Sequence, residues 1–280
     1  MQYKKYLNMG CGSRFHPDWT NIDIVSYGPA VIAYDLRHGI PYSNCTFNIV
    51  YHSHLLEHLK KHEALDFLKE CFRVLKPNGI IRVVVPNLEE ITGIYLKALE
   101  RACHGDPEWQ HNYEWIMLEL YDQTVRENSG GVMLEYLIQE KIPNEAFINK
   151  RMGNGTRQIL EMLQKEYDPK ASGMSRKFNC LKYLRKFSQH LRMKLIRRLL
   201  GDKEYRALQI GLFRMNGEIH HWMYDKYSLA QLLKRAGFSN PIQCNAFKSQ
   251  IENWEQFALD TESDGTVYKP DSLYMEAIKH

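Results

Sequence analysis

Short β-type runs alternate with turns and helical patterns over the first ninety residues, and this alternation constrains the fold most. Two of the runs alternate apolar and polar side chains, as half-buried strands do. The runs cover residues 5–9, 20–24, 31–35, 47–51 and 80–85, and a pattern with helical apolar spacing covers 55–75. Strands that alternate with helices are typical of an α/β domain with a mostly parallel sheet. We predict that fold class for this chain.

The pattern changes to helices and loops between residues 88 and 216. Helices are predicted over 91–102, 113–126, 133–139, 156–167 and 181–200, and the α/β pattern resumes with a helix over 228–236 and strands near 242–247 and 273–278. The 280 residues leave room for one large domain or two small ones. We predict a core formed by residues 1–87 and 217–280, with 88–216 as a large helical insertion, or lid, packed over the sheet.

Composition excludes several classes of protein. The chain is 44% hydrophobic and 25% charged, which is ordinary for a globular protein and unlike a disordered or collagen-like one. No apolar run reaches the roughly 18 residues that a membrane-spanning helix needs, and the first residues lack a signal-peptide pattern. Six scattered cysteines without a C-x-x-C pair indicate neither a disulfide framework nor a zinc ribbon. We therefore expect a reduced, cytoplasmic protein.

One stretch of the chain is strongly basic. Residues 170–206 contain twelve lysines and arginines against two acids, while the rest of the chain contains 25 basic and 31 acidic residues. Leucines at helical spacing predict an amphipathic helix over 181–200. This helix either packs on the domain or makes peripheral contact with an anionic membrane. Aromatic residues are not interleaved with the basic ones, so nucleic acid is not an expected partner.

Candidate ligand-binding residues follow the first three strands. The first strand stops at Gly10-Cys11-Gly12, where bare backbone can approach a ligand at the carboxyl edge of the sheet. Asp23 lies at the end of the second strand, where a carboxylate can accept hydrogen bonds from both hydroxyls of a ribose. Asp35 and Leu36 follow the third strand, where an adenine can lie. A glycine pair alone is a weak signal, but acids after the next two strands favour a nucleotide-type pocket.

Five segments resemble, in order, the motifs of class I S-adenosylmethionine-dependent methyltransferases: 7–12, Asp23, Asp35-Leu36, 47–58 and 73–79. The resemblance covers residues 5–87. It implies a Rossmann-like sheet of seven strands with the last antiparallel, helices on both faces, S-adenosyl-L-methionine as cofactor and S-adenosyl-L-homocysteine as product. Residues 217–225 and 269–273 also resemble a bacterial subfamily associated with surface-polysaccharide and secondary-metabolite biosynthesis, which implies a small-molecule or glycan acceptor.

The resemblance also implies roles for single residues. Gly10, Cys11 and Gly12 would face the methionine part of the cofactor, Asp23 its ribose, Asp35 and Leu36 its adenine, and His52 and Ser53 its methionyl end. The chain departs from the family pattern in two places. Asn8 stands where the family usually has an acid, and only ten residues separate Gly12 from Asp23, too few for the usual helix. A loop over 13–19, or the insertion, has to form that side of the pocket.

Two histidines are candidates for the base that removes a proton from a hydroxyl acceptor. His54 follows the fourth strand, and His220 lies in a polar, aromatic segment that leads back to the sheet. An imidazole suits this role because its ordinary pKa lies near neutrality. A structural hydrogen bond remains the alternative role for each of them.

The sequence of His54, Glu57 and His58 also matches an inverted zinc-protease pattern, H-x-x-E-H, in which one helix face presents the ligands. A divalent ion that assists methyl transfer is another alternative, and for His58 a bracing role at the start of the helix is favoured. We expect no metal at the site.

A polar cluster in the insertion has two interpretations. Its members, which fall within one or two helical turns, are Glu119, Asp122, Gln123 and Arg126. They either bind sugar hydroxyls or form a solvated helix face.

Taken together, the motifs and the resemblances favour an enzyme that methylates an oxygen of a sugar or glycan precursor. A catalytically silent nucleotide-binding protein and a zinc hydrolase are the alternatives.

Overall fold

The computed structural model describes residues 4–153 and 192–280. Its centre is a seven-stranded sheet in the order β3-β2-β1-β4-β5-β7-β6. The strands are β1 (Tyr6–Met9), β2 (Thr20–Asp23), β3 (Val31–Ala33), β4 (Phe47–Ser53), β5 (Leu75–Pro86), β6 (Ser239–Cys244) and β7 (Ser272–Ile278). Only β7 runs against its neighbours, and the four ladders among the first five strands are parallel. The predicted Rossmann-like, mostly parallel sheet with an antiparallel last strand is confirmed.

Strand register brings the ends of three strands to one edge of the sheet. Met9, the last residue of β1, lies opposite Ile22 of β2 and His52 of β4. Since parallel strands end on the same side, the segments that follow Met9, Asp23 and Ser53 leave the sheet together. This carboxyl edge is where open α/β sheets bind their ligands.

One face of the sheet is covered by two amphipathic helices, α1 (Lys61–Val74) and α7 (Lys226–Arg235). In α1 the buried residues include Ala64, Leu68 and Cys71, which recur at the spacing of one helix face. Each buried leucine of this kind contributes about 1.5–3 kcal/mol of transfer free energy. The capping residue of α7 is Asp225, whose carboxylate accepts a 2.7 Å hydrogen bond from the Ser228 N–H.

The other face of the sheet is covered differently. Among the described residues its cover consists of a 3-10 helix, Trp254–Phe257, and irregular chain that includes Trp19. In place of the helices predicted for this face, the described residues form a short 3-10 helix and irregular chain. Loops suffice because large aromatic side chains fill the space over Tyr51, with Trp254 at 5.2 Å and Trp19 at 6.2 Å between ring centroids.

The described residues between β5 and β6 contain helices and no strand. Besides α7 and the helical residues 192–200, these helices are α2 (Leu88–Cys103), α3 (Pro107–Val125), α4 (Gly131–Leu137), α5 (Glu145–Met152) and α6 (Asp202–Arg214). Trp115 and Ile148, which are both buried, belong to a small core of their own between α3, α4 and α5. The chain leaves the sheet at Asn87 and comes back to it at Tyr224, where the two residues form a parallel bridge.

Several local predictions need correction. The helix predicted over 55–75 is divided into a 3-10 turn, Leu56–His58, and α1, because the capping residue of α1 is Lys60, whose N–H donates to the Glu63 carboxylate. The fifth strand begins at Leu75 and not at residue 80, so Asn78, whose φ is 61°, lies within it. The sequence did not predict α5 or α6.

The predicted helix over 156–167 and residues 181–191 of the basic helix lie outside the described residues. Residues 192–200 are helical, and Leu195 and Leu199 are exposed there. No helix in the described parts of the chain has the length and apolar character to cross a bilayer.

Candidate functional site

The turn after β1 exposes backbone at the carboxyl edge. Gly10 and Gly12 have φ values of 62° and 52°, in the left-handed region that favours glycine. A Cβ at Gly10 would lie 2.3 Å from Leu55 Cδ1, whereas a Cβ at Gly12 would meet nothing within 4 Å. Gly10 therefore allows the turn to pack against the fold, and Gly12 leaves an open surface. Between them Cys11 is buried, and burial together with Asp23 raises the pKa of its thiol to about 12.

Two buried asparagines hold this turn, and the sequence analysis missed the role of both. The side-chain amide of Asn8 donates to the Arg14 carbonyl at 3.1 Å and to Asn21 Oδ1 at 3.2 Å. The Asn21 amide donates in turn to the carbonyls of His16 and Trp19, each at 2.9 Å. Asn8, where the family usually has an acid, thus fixes the loop over 13–19. That loop contains no α-helix, which confirms the prediction from its length.

The predicted carboxylates follow β2 and β3 at the same edge. The Gly12 N–H donates to Asp23 Oδ2 at 2.8 Å, and the Val25 N–H donates to Oδ1 at 3.2 Å. Asp35 forms a bidentate pair with the Arg37 guanidinium, which lowers the pKa of its carboxyl to about 2. Leu36 follows it and packs against the core. Asp23 is thus tied to the glycine turn, and Asp35 to the arginine two residues after it in the chain.

His52 requires a correction. It lies within β4 and not after it, and its ring is fully buried against Phe67, with 5.3 Å between centroids. Burial lowers the pKa of His52 to about 4, so its imidazole is neutral at neutral pH. Ser53, the last residue of β4, is half-buried at the edge. Of the two residues expected to line the open end of β4, only Ser53 lies there.

Histidines surround one fully buried carboxylate just beyond β4. Glu57 Oε1 lies 3.2 Å from His54 Nδ1, and ligand atoms of His58 and His220 lie within 4.8 Å of a Glu57 oxygen. Burial alone raises the pKa of Glu57, but the three histidines outweigh burial, so this pKa lies well below its ordinary value. Burial is the main influence on His220 and lowers its pKa to about 3.

His54 occupies a strained and well-fixed position. Its φ of 51° is unusual for a residue with a side chain, and such strain is concentrated at functional sites. Its Nε2 lies 2.9 Å from Ser272 Oγ, while Nδ1 faces Glu57. The structure thus brings the predicted His54 and His220 close to the same carboxylate, that of Glu57.

The zinc-protease interpretation needs correction. His54 precedes the 3-10 turn that contains Glu57 and His58, so the three side chains do not share the face of one α-helix. The group of side chains close enough to hold one ion consists instead of Glu57, His58 and His220. His58 does not brace the start of α1, because its Nδ1 contacts the carbonyl of Ile219, 3.1 Å away on the returning chain.

The polar cluster of α3 is not a solvated face. Asp122 and Arg126 are buried and paired at 2.6 Å, and Arg126 also contacts Glu218 at 3.2 Å. Glu119 pairs with Arg151 at 2.7 Å, and the Gln123 carbonyl accepts from the His220 N–H at 2.9 Å. The contacts of Arg126 and Gln123 hold α3 to the returning chain, and the Glu119–Arg151 pair holds α3 to α5.

The segment before β7 contacts the loop over 13–19 at this edge of the sheet. Arg14 of the glycine loop contacts Glu262 at 3.1 Å and lies 4.3 Å from the ring centroid of Tyr268. Burial lowers the pKa of the Lys269 ammonium, against the influence of Asp271 and Glu57. Sequence patterns predict no role for Lys269. The one indication of a role is the resemblance of residues 269–273 to the polysaccharide-associated subfamily.

Two comparisons with known sequences find methyltransferases. A family model described as "Methyltransferase domain" matches residues 20–83. A probable S-adenosylmethionine-dependent methyltransferase of Mycolicibacterium smegmatis is 30% identical over 98 residues. That match covers 29% of this chain and 37% of the relative, so the chain spans little more than a third of its length.

Solved structures with a similar arrangement are distant. A SAM-dependent methyltransferase from Archaeoglobus fulgidus is 11% identical with a TM-score of 0.37, over 99% of this chain and 86% of that one. A Haloferax volcanii complex of the Trm112 activator with a methyltransferase is 9% identical with a TM-score of 0.38, over 100% of this chain and 86% of that one.

Proposed function

We propose that this chain is an S-adenosylmethionine-dependent methyltransferase that methylates an oxygen of a sugar or glycan precursor. The observation that carries the proposal is the open Gly12 turn, hydrogen-bonded to Asp23 at the carboxyl edge of the seven-stranded sheet. The methyltransferase-domain match, which begins at β2 and ends within β5, supports the same activity.

The residues of the edge suit the cofactor. The open side of Gly12 lets a ligand approach backbone that any other residue would cover. Asp23 holds that turn and is only half-buried, so its carboxylate has acceptor capacity left for ribose hydroxyls. Asp35 and Leu36 would lie beside the adenine. When bound, S-adenosylmethionine supplies a methyl group already activated by its sulfonium.

His54 is the proposed base. Its Nε2 would exchange the hydrogen bond with Ser272 for one to the acceptor hydroxyl and take the proton there. Glu57 is a positioning residue, because its carboxylate faces Nδ1 and orients the ring. His220 is less suited to this task, since an imidazole with a pKa of about 3 is a weak base near neutral pH.

The position of the acceptor is proposed from two segments of the returning chain. Residues 217–225 and 269–273, which resemble the polysaccharide-associated subfamily, both contact the region after β4. The carbonyl of Ile219 contacts His58, and Ser272 contacts His54. The half-buried Lys269 adds a charged donor that suits an oxygen-rich acceptor.

Titration calorimetry with S-adenosylmethionine and S-adenosylhomocysteine tests the cofactor site. In the variant Asp23→Asn we expect affinity to fall about 10- to 100-fold, because a hydrogen bond to a charged acceptor contributes about 1.5–3 kcal/mol. Asp18→Asn is the matched control, since Asp18 lies in the same loop with its side chain 80% exposed. Equal affinity in both variants would contradict the pocket.

Turnover is tested by release of S-adenosylhomocysteine with a panel of nucleotide sugars and glycan precursors. His54→Asn keeps a residue that tolerates positive φ and should lower kcat about 100- to 10,000-fold without weakening cofactor binding. Tight cofactor binding with no turnover on any hydroxyl acceptor would favour a catalytically silent protein.

A further inference from the structure

Glu57, His58 and His220 form a cluster that the proposed methyl transfer does not itself use. One ligand atom from each of these residues lies within 4.8 Å of the other two. Glu57 and His58 come from the 3-10 turn after β4, and His220 comes from the chain that returns from the insertion. Residues more than 160 positions apart thus place one carboxylate and two imidazoles together.

Backbone contacts hold the two segments together in addition to the contact of His58 with the Ile219 carbonyl. The His221 N–H donates to the Glu57 carbonyl at 2.7 Å, and the His220 N–H donates to the Gln123 carbonyl at 2.9 Å. The segments would therefore keep their positions if the side chains of the cluster were changed. A preorganised group of ligand atoms of this kind is what a bound ion requires.

The carboxylate of Glu57 faces histidines and no permanently charged cation among the described residues. It is fully buried, and neither oxygen has a hydrogen-bond partner among the described residues. Among the described residues, no lysine or arginine nitrogen lies within 4.0 Å of the Glu57 carboxylate, and its ion-pair contact is with His54. Isolated buried charges are strongly unfavourable, so they are paired or bind metals.

The imidazole of His58 is oriented as a metal ligand is. Its Nδ1 lies 3.1 Å from the Ile219 carbonyl, which can only accept, so Nδ1 carries the proton and Nε2 has a free lone pair. Metal-binding histidines almost always donate their other N–H in this way, often to a backbone carbonyl. The His220 ring stands nearly perpendicular, at 78°, with its centroid 4.8 Å from that of His58.

We propose that Glu57, His58 and His220 bind one divalent transition-metal ion. Two imidazoles and a carboxylate suit Zn²⁺ or Mn²⁺ better than Mg²⁺, which prefers oxygen ligands. Ligands about 2.0–2.2 Å from zinc lie about 3.3 Å apart in a tetrahedron. The side chains therefore have to close in slightly around the ion, which would neutralise Glu57 and keep open coordination positions.

The site has a consequence for the acceptor, and this consequence rests on the proposed function. Glu57 Oε1 lies 3.2 Å from His54 Nδ1, so the ion and the proposed base would share this carboxylate. An acceptor oxygen bound at an open position of the ion would then be polarised by it. Metal binding itself does not depend on methyl transfer.

Titration of the metal-stripped full chain with ZnCl₂, MnCl₂ and MgCl₂ tests the proposal. We expect a single equivalent of Zn²⁺ or Mn²⁺ and much weaker binding of Mg²⁺. The variants Glu57→Gln and His220→Gln should each lower affinity more than about 100-fold, since loss of even an outer-shell partner costs about 10- to 100-fold. The control His62→Gln, with a side chain 77% exposed nearby on α1, should bind as the parent does.

Absence of Zn²⁺ and Mn²⁺ binding to the parent would overturn the proposal, as would unchanged affinity in both variants. A variant that does not fold is recognised by circular dichroism, and the second variant then decides. Cofactor affinity measured on the same samples separates the two proposals. Metal binding without S-adenosylmethionine binding contradicts only the proposed function, and the reverse result contradicts only the metal site.

Discussion

Two buried polar clusters of this protein differ in how far their charges are paired. The guanidinium of Arg82 donates to Asp260 at 2.8 Å and to Glu276 at 2.6 Å, and it stacks on Trp254 at 4.5 Å. Tyr51 donates to the other oxygen of Asp260 at 2.6 Å. Around Glu57, at the carboxyl edge, the ion-pair contact is with His54, and neither carboxylate oxygen has a hydrogen-bond partner among the described residues.

The difference separates a cluster that serves the fold from one that is suited to a ligand. The Arg82 cluster lies between β5, β7 and the irregular cover of the second face, and its hydrogen bonds are made within the chain. The Glu57 cluster lies where strands end and where Tyr224 also has a buried hydroxyl without a partner among the described residues. Complete pairing predicts a loss of stability on mutation, and incomplete pairing predicts a loss of binding.

The largest expected effect on stability is that of Arg82→Met. Removal of the guanidinium leaves Asp260 and Glu276 buried without compensation, which costs about 3–5 kcal/mol. Urea denaturation followed by circular dichroism measures the loss. The control Lys226→Met breaks an exposed pair with Glu89 and should cost less than about 1 kcal/mol. Similar values for the two variants would contradict a structural role of the Arg82 cluster.

Glu57→Gln should have a smaller effect than Arg82→Met on the metal-free protein. The surrounding histidines hold the pKa of Glu57 below its ordinary value, so the folded protein favours the ionised carboxylate, and we expect its replacement to lower the free energy of unfolding by about 1 kcal/mol. Thermal unfolding with and without Zn²⁺ measures both parts of the prediction, because zinc should stabilise the parent and not the variant. A loss of several kcal/mol would place Glu57 in the same class as Arg82.

The same distinction applies to the two glycines of the turn after β1. Gly10→Ala should destabilise the protein by about 1–3 kcal/mol, because the new Cβ collides with Leu55 in a strained conformation. Gly12→Ala meets no neighbour, so its cost in stability should be smaller while its cost in cofactor affinity is large. Thermal unfolding and calorimetry on both variants test this. Equal losses of stability would remove the contrast.

Sequence patterns predicted the parts of the site that depend on local order. The glycine turn, Asp23 and Asp35 each follow a strand, so their position at one edge follows from parallel pairing alone. The contact of His58 with Ile219 joins positions far apart in the sequence, and no periodicity encodes it. Arg82 lies in an apolar strand, and its partners Asp260 and Glu276 are known only once the chain has folded.

The smallest expected effect concerns a carboxylate that is paired but partly exposed. Glu70 forms a bidentate pair with Arg73, 2.7 Å at each oxygen, and accepts from the Ile40 N–H. The Arg73 hydrogen bond lowers the pKa of Glu70, against an opposing influence of burial. Because the folded-state pKa is depressed, the pair stabilises the protein above the ordinary pKa of a glutamate. That contribution is lost as the pH falls through the folded-state value.

Glu70→Gln should therefore lower stability at pH 7 by about 0.2–1 kcal/mol and have little effect well below the folded-state pKa of Glu70, where the carboxyl of the parent is protonated. Urea denaturation at a series of pH values measures the difference between the parent and the variant. The control variant Glu63→Gln removes a helix-capping contact on an exposed turn of the same helix, α1. A destabilisation by Glu70→Gln that stays constant from pH 7 to well below the folded-state pKa of Glu70 would mean that packing, and not the ion pair with Arg73, is what Glu70 contributes.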